Sequence, residues 1–383
     1  EDTCCQGWDI EIDKDTFDEY LKVQDQKMKA MLSDNIKKNN YCTSDDLDYG
    51  IIKLNEDKKC PFLDKCNYCS IYTAIGEEYL SNICTQFPRI LNKINNEYEI
   101  SLDVSCLEAA KIMLQSEDKI SFNSSEQVFE KYIINDEYNT NSKKCKKSPI
   151  KYLKEIRAFS MEIMQDRNYQ LSERFYILGD FIKTLEEKIE EDYKLAHSFI
   201  KDYDRENIAQ KYKKNNMDYI FQIIFFKSII EFSNIREQAI SDDFKKYTDE
   251  VLDGFNINDI DNCGNDEERY ISIFQEYNKN FIKKYEYIFE NYLVNYMYNN
   301  LFPFTESDDM LEGYIMLVVR YSFIRFYLVG RYISSRQESS ENIIKLISLF
   351  ARDIEHDKTY MSEIYDYIEK NQYDNMNFAN KLL

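Results

Sequence analysis

Residues 311–333 read L-E-G-Y-I-M-L-V-V-R-Y-S-F-I-R-F-Y-L-V-G-R-Y-I, the most apolar stretch of the chain. Its length would allow a membrane crossing, but Arg320, Arg325 and Arg331 interrupt it. Three guanidinium groups at hydrocarbon depth are costly. The segment therefore reads as the buried central helix of a helical domain. Each arginine then needs a carboxylate or carbonyl partner in the chain, or the carboxylate of a ligand.

The helical period continues on either side. Leu178, Phe181, Ile182, Leu185 and Ile189 fall at i, i+3, i+4, i+7 and i+11, with Glu186, Glu187, Glu190 and Glu191 on the wet face. Ser172 is the expected N-cap of that helix. Further helices are expected at about 216–237, 239–253, 266–301, 308–334, 339–355 and 358–370. Gly254 and the Asn-Cys-Gly at 262–264 mark breaks, and Pro303 ends another helix. Only 8 Gly and 4 Pro occur in 383 residues. A doubly wound sheet or a sandwich needs more turns than these supply. The expected fold is mostly α: a small cysteine-rich α+β N-terminal module followed by an all-helical C-terminal domain.

The chain carries 70 acidic and 49 basic residues, a net charge of −21. Such a balance argues against a nucleic-acid partner, which needs a basic face, and it would steer a lysine-bearing partner inward. No signal peptide is visible, and no uncharged apolar run reaches spanning length. A cytoplasmic protein without a membrane partner is expected, with its thiols reduced and available for metal or catalysis. The chain begins at Glu1 without an initiator Met, which leaves room for an upstream segment with further ligands. Oligomeric state is left open.

The N-terminal module spans 1–115. Trp8, Ile10 and Ile12 alternate with acidic residues as in a half-buried strand. Thr16, followed by Glu19, is the expected cap of a helix running to about Lys29. Ile51, Ile52 and Leu54 suggest a second strand, and Tyr98, Ile100 and Leu102 a third. A short helix is expected around Tyr72–Ser81 and another from Cys106 to Leu114. Residues 116–149 are polar and read as a linker, and 150–383 form the helical domain.

Five of the ten cysteines lie between Cys60 and Cys106, in C-P-F-L-D-K-C-N-Y-C-S-I-Y, C-T-Q-F-P-R and S-C-L-E, and Cys4 and Cys5 stand at the start. The spacing Cys60-x5-Cys66-x2-Cys69 is neither a radical-enzyme C-x3-C-x2-C loop nor a thioredoxin motif, and only one zinc-ribbon knuckle is present. What remains is a dispersed thiol set that suits zinc or an iron–sulfur cluster, and four thiolates suffice for either. Cys42 and Cys263 read as small buried hydrophobes. Cys145, among lysines, has no expected role. His197 and His356 sit in no triad-like or metal-like context.

The segments C-C-Q-G-W-D-I-E-I-D, C-P-F-L, C-S-I-Y-T-A-I-G-E-E-Y-L, C-T-Q-F-P-R and S-C-L-E-A-A resemble the flagellin lysine-N-methylase (FliB) family. The likeness continues at E-N-Y-L-V-N-Y-M (290–297), L-F-P-F (301–304) and R-Y-S-F-I-R (320–325). It implies methyl transfer from S-adenosylmethionine to lysine Nζ of flagellin. It also implies a cysteine-held iron–sulfur cluster of the 4Fe–4S type, with zinc as the alternative. By position the metal set is Cys5, Cys60, Cys69, Cys84 and Cys106, with Cys4 beside them; Cys66 lies outside the pattern. Tyr72, Tyr292, Tyr296 and Arg320 are candidates by motif position, the last three for the methyl donor. No Gly-rich loop follows a strand, so donor binding needs another architecture. Two rival readings are a non-catalytic metal-binding or chaperone-like adaptor that binds flagellin or another partner, and a redox role for the cluster.

Overall fold

A computed structural model describes residues 5–8, 10–128, 131–145, 148–212, 217–255 and 267–383, with the Lys358 side chain left aside. The chain forms two compact units, 1–109 with 122–138, and 110–121 with 139–383. The polar stretch expected as a linker over 116–149 is thus shared between the units. Its residues carry backbone and side-chain bonds that composition does not reveal. Asn135 N donates to Leu91 O at 2.8 Å, and Lys131 Nζ donates to the carbonyls of Glu78 and Leu80, each at 2.7 Å.

The first unit is small and mixed. It runs β1 (Ile10–Ile12), α1 (Lys14–Lys22), α2 (Gln26–Asn35), β2 (Ile36–Lys38), β3 (Gly50–Ile52) and α3 (Ser70–Ile75). A 3₁₀ turn at Glu77–Tyr79, α4 (Asn82–Gln86), β4 (Arg89–Ile94) and β5 (Glu97–Leu102) follow. Next come α5 (Leu107–Leu114), which the unit boundary cuts, and β6 (Glu137–Tyr138). β3 lies between β1 and β2, all antiparallel, with Ile52 opposite both Ile10 and Ile36. β4 lies between antiparallel β5 and parallel β6. β4 was not foreseen, although Asn95 at φ 58° makes the tight turn that leads into β5.

The N-cap of α1 is Asp13, whose Oδ1 accepts the Thr16 amide at 2.9 Å, so Thr16 sits inside the helix rather than at its head. The helix stops at Val23, and α2 starts afresh on the Asp25 cap. Ile10, Ile12, Tyr20, Met28, Leu32, Ile52, Cys60, Phe62 and Ile71 form the core of this unit.

The second unit is helical: α6 (Leu153–Met164), α7 (Leu171–Glu191), α8 (Leu195–Asp202), α9 (Arg205–Ala209), α10 (Tyr219–Phe232), α11 (Ile235–Gln238) and α12 (Asp242–Gly254). Then come α13 (Glu267–Tyr277), α14 (Glu286–Asn299), α15 (Met310–Ser335), α16 (Ser340–Phe350), α17 (Lys358–Lys370) and α18 (Met376–Leu382). Gln170 caps α7 in a capping box with Glu173, so Ser172 lies within the first turn. The single helix expected over 266–301 is divided by a π turn at Asn278–Ile282, and a second π turn, Ala351–Glu355, closes α16. α14 ends at Asn299, before Pro303 is reached. Asn234, left-handed at φ 49°, separates α10 from α11. The break expected at 262–264 lies outside the described residues.

α15 organises this unit. Asp309 Oδ1 caps it by accepting the Glu312 amide at 3.0 Å, and Arg336 ends it at φ 53°. Among the described residues α15 is the one helix long and apolar enough to cross a membrane, and its most apolar window is wholly buried in protein. It packs on α7, α10, α12, α13, α14, α16 and α18. Phe323 stacks on Phe226, Phe326 on Phe255 and Tyr327 on Phe244, at 4.8, 4.9 and 5.1 Å between ring centres. Each buried ring stabilises by about 1.5–3 kcal/mol. α12 approaches α15 backbone to backbone: a Cβ added at Gly254 would stand 2.2 Å from the Gly330 carbonyl. Only glycine fits there.

Candidate functional site

Several elements of the first unit carry its thiols. The Cys60 amide donates to the Cys5 carbonyl at 2.8 Å, and Gln6 bridges Lys59, so the start of the chain runs beside the Cys60 loop. Leu63 pairs with Cys69, which caps α3, and the Ser70 amide donates to Phe62 O at 2.7 Å. Cys84 lies in α4, whose cap Ser81 accepts the Cys84 amide at 3.3 Å. Asp13 joins the two regions: one oxygen takes the Thr16 amide and the other takes the Asn82 amide at 2.9 Å.

The common point of this arrangement is Tyr20. Burial raises the pKa of its phenol, and the neighbouring Cys84, Cys69, Asp13 and Cys60 raise it further. Three thiols from three segments therefore lie within electrostatic reach of one hydroxyl. Cys5 and Cys69 also pack against the Tyr20–Cys60–Phe62 core. Cys106 is half-buried at the head of α5, its amide donating to Asp103 O at 3.3 Å, and no described contact joins it to the other three. Cys66 is exposed. Cys4 and Cys263 lie outside the described residues. Cys42 is only half-buried and turns its thiol to Asp48 at 3.5 Å, so it is not the enclosed hydrophobe expected.

In donor chemistry alone, thiols of this kind suit zinc or an iron–sulfur cluster. Among the described residues, however, no three Cys, His, Asp or Glu side chains are assembled closely enough to hold an ion.

In the helical unit, Arg320, Tyr292 and Tyr296 do meet. Arg320 is 3% exposed, and its Nη2 donates to Glu306 Oε1 at 2.5 Å. Its Nη1 donates to Met316 O at 3.1 Å, and its Nε lies 3.4 Å from Glu355 Oε1. The guanidinium sits 4.5 Å from the centre of the Tyr296 ring. Tyr292 donates to Glu355 Oε1 at 2.5 Å and Tyr296 to Glu306 Oε1 at 3.2 Å. One cation thus faces two carboxylates, joined by two phenols. Burial opposes the Arg320 charge, but Glu306, Tyr296 and Glu355 outweigh it and raise its pKa. Burial lifts both phenols well above their ordinary range, helped by Glu355 at Tyr292. They stay protonated hydrogen-bond donors. The buried Glu306 Oε2 has no hydrogen-bond partner among the described residues.

The other two arginines of α15 are also partnered. Arg325 bonds Gln222 Oε1 at 2.9 Å and the main-chain oxygens of Leu382 and Leu383. Arg331 bonds Glu250 at 2.8 Å and lies 3.4 Å over the Tyr247 ring. Tyr72 is 53% exposed. His197, exposed, pairs with Glu155 at 3.0 Å.

Sequence reasoning missed a second buried charge group. Arg174 and Glu290, each with a side chain 1% exposed, pair at 2.8 Å, and Arg167 and Glu286 extend the group at 2.8 and 3.2 Å. Glu290 opens the E-N-Y-L-V-N-Y-M segment and was legible only as part of that string.

Three comparisons bear on what these groups belong to. The FliB lysine N-methylase C-terminal domain matches residues 157–382, more than half of the chain and the part that contains the Arg320 cluster. The chain is 34% identical over 143 residues to the lysine-N-methylase of Salmonella typhimurium, a match that covers 36% of this chain and 33% of that protein. The chain thus spans about a third of the length of that relative. It is also 33% identical over 146 residues to the flagellar biosynthetic protein FliU of Salmonella muenchen, covering 37% of this chain and 82% of FliU. No solved structure matches. On the extent of the 157–382 match, the chain belongs to the FliB lysine N-methylase family.

Proposed function

We propose that this protein is a cytoplasmic S-adenosylmethionine-dependent protein-lysine N-methyltransferase acting on flagellin, with a cysteine-ligated iron–sulfur cluster in its N-terminal unit. The observation that carries the reading is the Arg320 cluster inside the segment that matches the family. Transfer to lysine needs a neutral amine, and free ammonium has a pKa near 10.4. Two carboxylates and two aromatic rings with one guanidinium favour a cation, and the unpartnered Glu306 Oε2 is an acceptor for one ammonium hydrogen. The proton passes from Nζ to Glu306. S-adenosylmethionine, when bound, would supply the methyl group to the freed Nζ and keep its sulfur as a thioether. Arg320 fixes Glu306, while Tyr292 and Arg320 hold Glu355. The chain already supplies carboxylates to Arg320, so the reading gives that guanidinium a positioning part rather than the donor's carboxylate.

For the cluster, Cys60, Cys69 and Cys84 around Tyr20, with Cys5 beside them, are the proposed holders, joined by Cys4 and Cys106. A bound group would fix the loops between β3 and β4, which have little regular structure of their own.

The test is anaerobically purified protein with flagellin and methyl-labelled S-adenosylmethionine. Label on flagellin lysine side chains is expected. An intact cluster with no label transferred would remove the enzyme reading and leave the adaptor.

A further inference from the structure

The helical unit holds a cavity of about 1110 Å³ that is separate from the Arg320 cluster. Three helical segments wall it: the head of α7 with Arg167–Ser172, the head of α10 with Met217–Ile220, and the α13–α14 stretch through the Asn278–Ile282 π turn to Glu286. Tyr321 and Arg325 of α15 and Lys381 of α18 complete it. Its size slightly exceeds the roughly 300–1,000 Å³ usual for small-molecule sites.

The charge of the wall runs against that of the chain. Lys279, Lys283 and Lys381 line it without a carboxylate partner among the described residues, in a protein of net charge −21. The two lining carboxylates are engaged: Asp218 caps α10 by accepting the Phe221 amide at 2.9 Å, and Glu286 accepts the Leu171 amide at 2.6 Å while pairing with Arg174. The heads of α7 and α10 also line it, with amides already capped by Gln170, Glu286 and Asp218.

Two buried polar atoms point to an occupant. Arg325 is 2% exposed, and its Nε has no hydrogen-bond partner among the described residues. Asn278 donates to the Tyr219 hydroxyl at 3.2 Å, but its Oδ1 is buried without a donor. Tyr169 and Tyr219 provide ring faces, Tyr219 being braced by Phe274 at 4.8 Å, whereas the buried Tyr321 ring packs on Phe175 and beneath the Arg325 guanidinium. We propose that this cavity binds a small anionic ligand of mononucleotide type: a phosphate for the cations, a ring for the tyrosines, and an amino donor for Asn278. This site is independent of the methyl-transfer reading. A cationic sulfonium donor would be repelled by the same three lysines.

The test is calorimetry on the whole protein with adenosine 5′-monophosphate, adenosine and S-adenosylhomocysteine. The monophosphate is expected to bind at least tenfold more tightly than adenosine, with affinity falling as salt rises. Lys279 and Lys283 are exposed, so the double variant K279E/K283E should keep its melting temperature and lose at least tenfold in affinity. Arg325→Lys provides a second, milder loss. Equal binding of adenosine and its monophosphate, an unaffected double variant, or no binding to folded protein overturns the proposal. Tighter binding of S-adenosylhomocysteine that the same variants abolish would overturn it in favour of a donor pocket.

Discussion

Tyr292 donates its hydroxyl hydrogen to Glu355 Oε1 across 2.5 Å, and the same oxygen lies 3.4 Å from Arg320 Nε. A phenol from α14 and a guanidinium from α15 thus hold one carboxylate at the end of the π turn after α16. Glu306 is held alike by Arg320 and Tyr296, but one of its oxygens has no hydrogen-bond partner among the described residues. That asymmetry separates a positioned carboxylate from an available one.

Glu306→Gln should therefore lower lysine methylation by about 10²–10⁴-fold, the range for a lost proton acceptor. Its melting temperature should fall by only a few degrees, because the amide still accepts from Arg320. Tyr292→Phe should do the reverse: near-normal methylation at low temperature, with stability reduced by about 0.5–1.5 kcal/mol through the lost hydrogen bond to Glu355, which keeps Arg320 beside it. Methylation rate and thermal unfolding, measured on both variants, decide it. Equal activity losses would sink the division of roles.

Metal content offers a separate prediction. Cys69→Ser and Cys84→Ser should each reduce the iron and sulfide, or the zinc, of anaerobically purified protein. Cys66→Ser, at an exposed turn, should leave the content unchanged. Bound metal should raise the melting temperature of the parent through linkage, and the first two variants should lack that rise. Unchanged content in both would disconnect these thiols from any metal.

Helices could be read from the sequence where one-sided burial forces a stripe, and could not where their ends depend on local bonds. The Leu178–Ile189 stripe of α7 and the apolar run of α15 are periodicity written by packing. Helix starts were misread by up to three residues because several side chains compete for each cap. Asp13 outcompetes Thr16, and Gln170 outcompetes Ser172. β4 was hidden because Asn92, 1% exposed, takes a core position that alternation assigns to an apolar residue. The Arg320 cluster was half visible. Tyr292, Tyr296 and Arg320 are named by motif, whereas Glu306 and Glu355 lie 14 and 35 residues from Arg320 and carry no signal of their own.

The Arg174–Glu290 pair predicts a stability effect without a change in chemistry. Glu290→Leu leaves Arg174 buried with only Glu286 and backbone carbonyls. A loss of about 3–5 kcal/mol is expected in denaturant unfolding. Arg167→Ala should lose much less, because that side chain is 38% exposed and solvent screens its pairing. A comparable loss in the two variants would contradict the assignment of the energy to the buried partner.

The last prediction concerns acid. Asp48 sits at the end of the loop joining β2 to β3, and its carboxylate accepts the Ser44 amide at 2.7 Å and the Thr43 amide at 2.9 Å. Those backbone donors, Ser44 first and Thr43 second, pull its pKa down to about 2. A carboxyl whose folded pKa lies below its unfolded value binds its proton more weakly when folded. Its contribution is complete above the unfolded value near 3.8 and is lost as pH falls toward about 2. Asp48→Asn cannot titrate and keeps one acceptor oxygen instead of two. It should be less stable than the parent at neutral pH, and the gap should narrow between pH 4 and pH 2. Parallel unfolding curves at pH 7, 4, 3 and 2 measure that gap directly. A gap of constant size across the series would mean that the loop is held by something other than this carboxylate. The Asn39 side chain, which donates to Asp48 O at 2.9 Å, would then be the next group to remove.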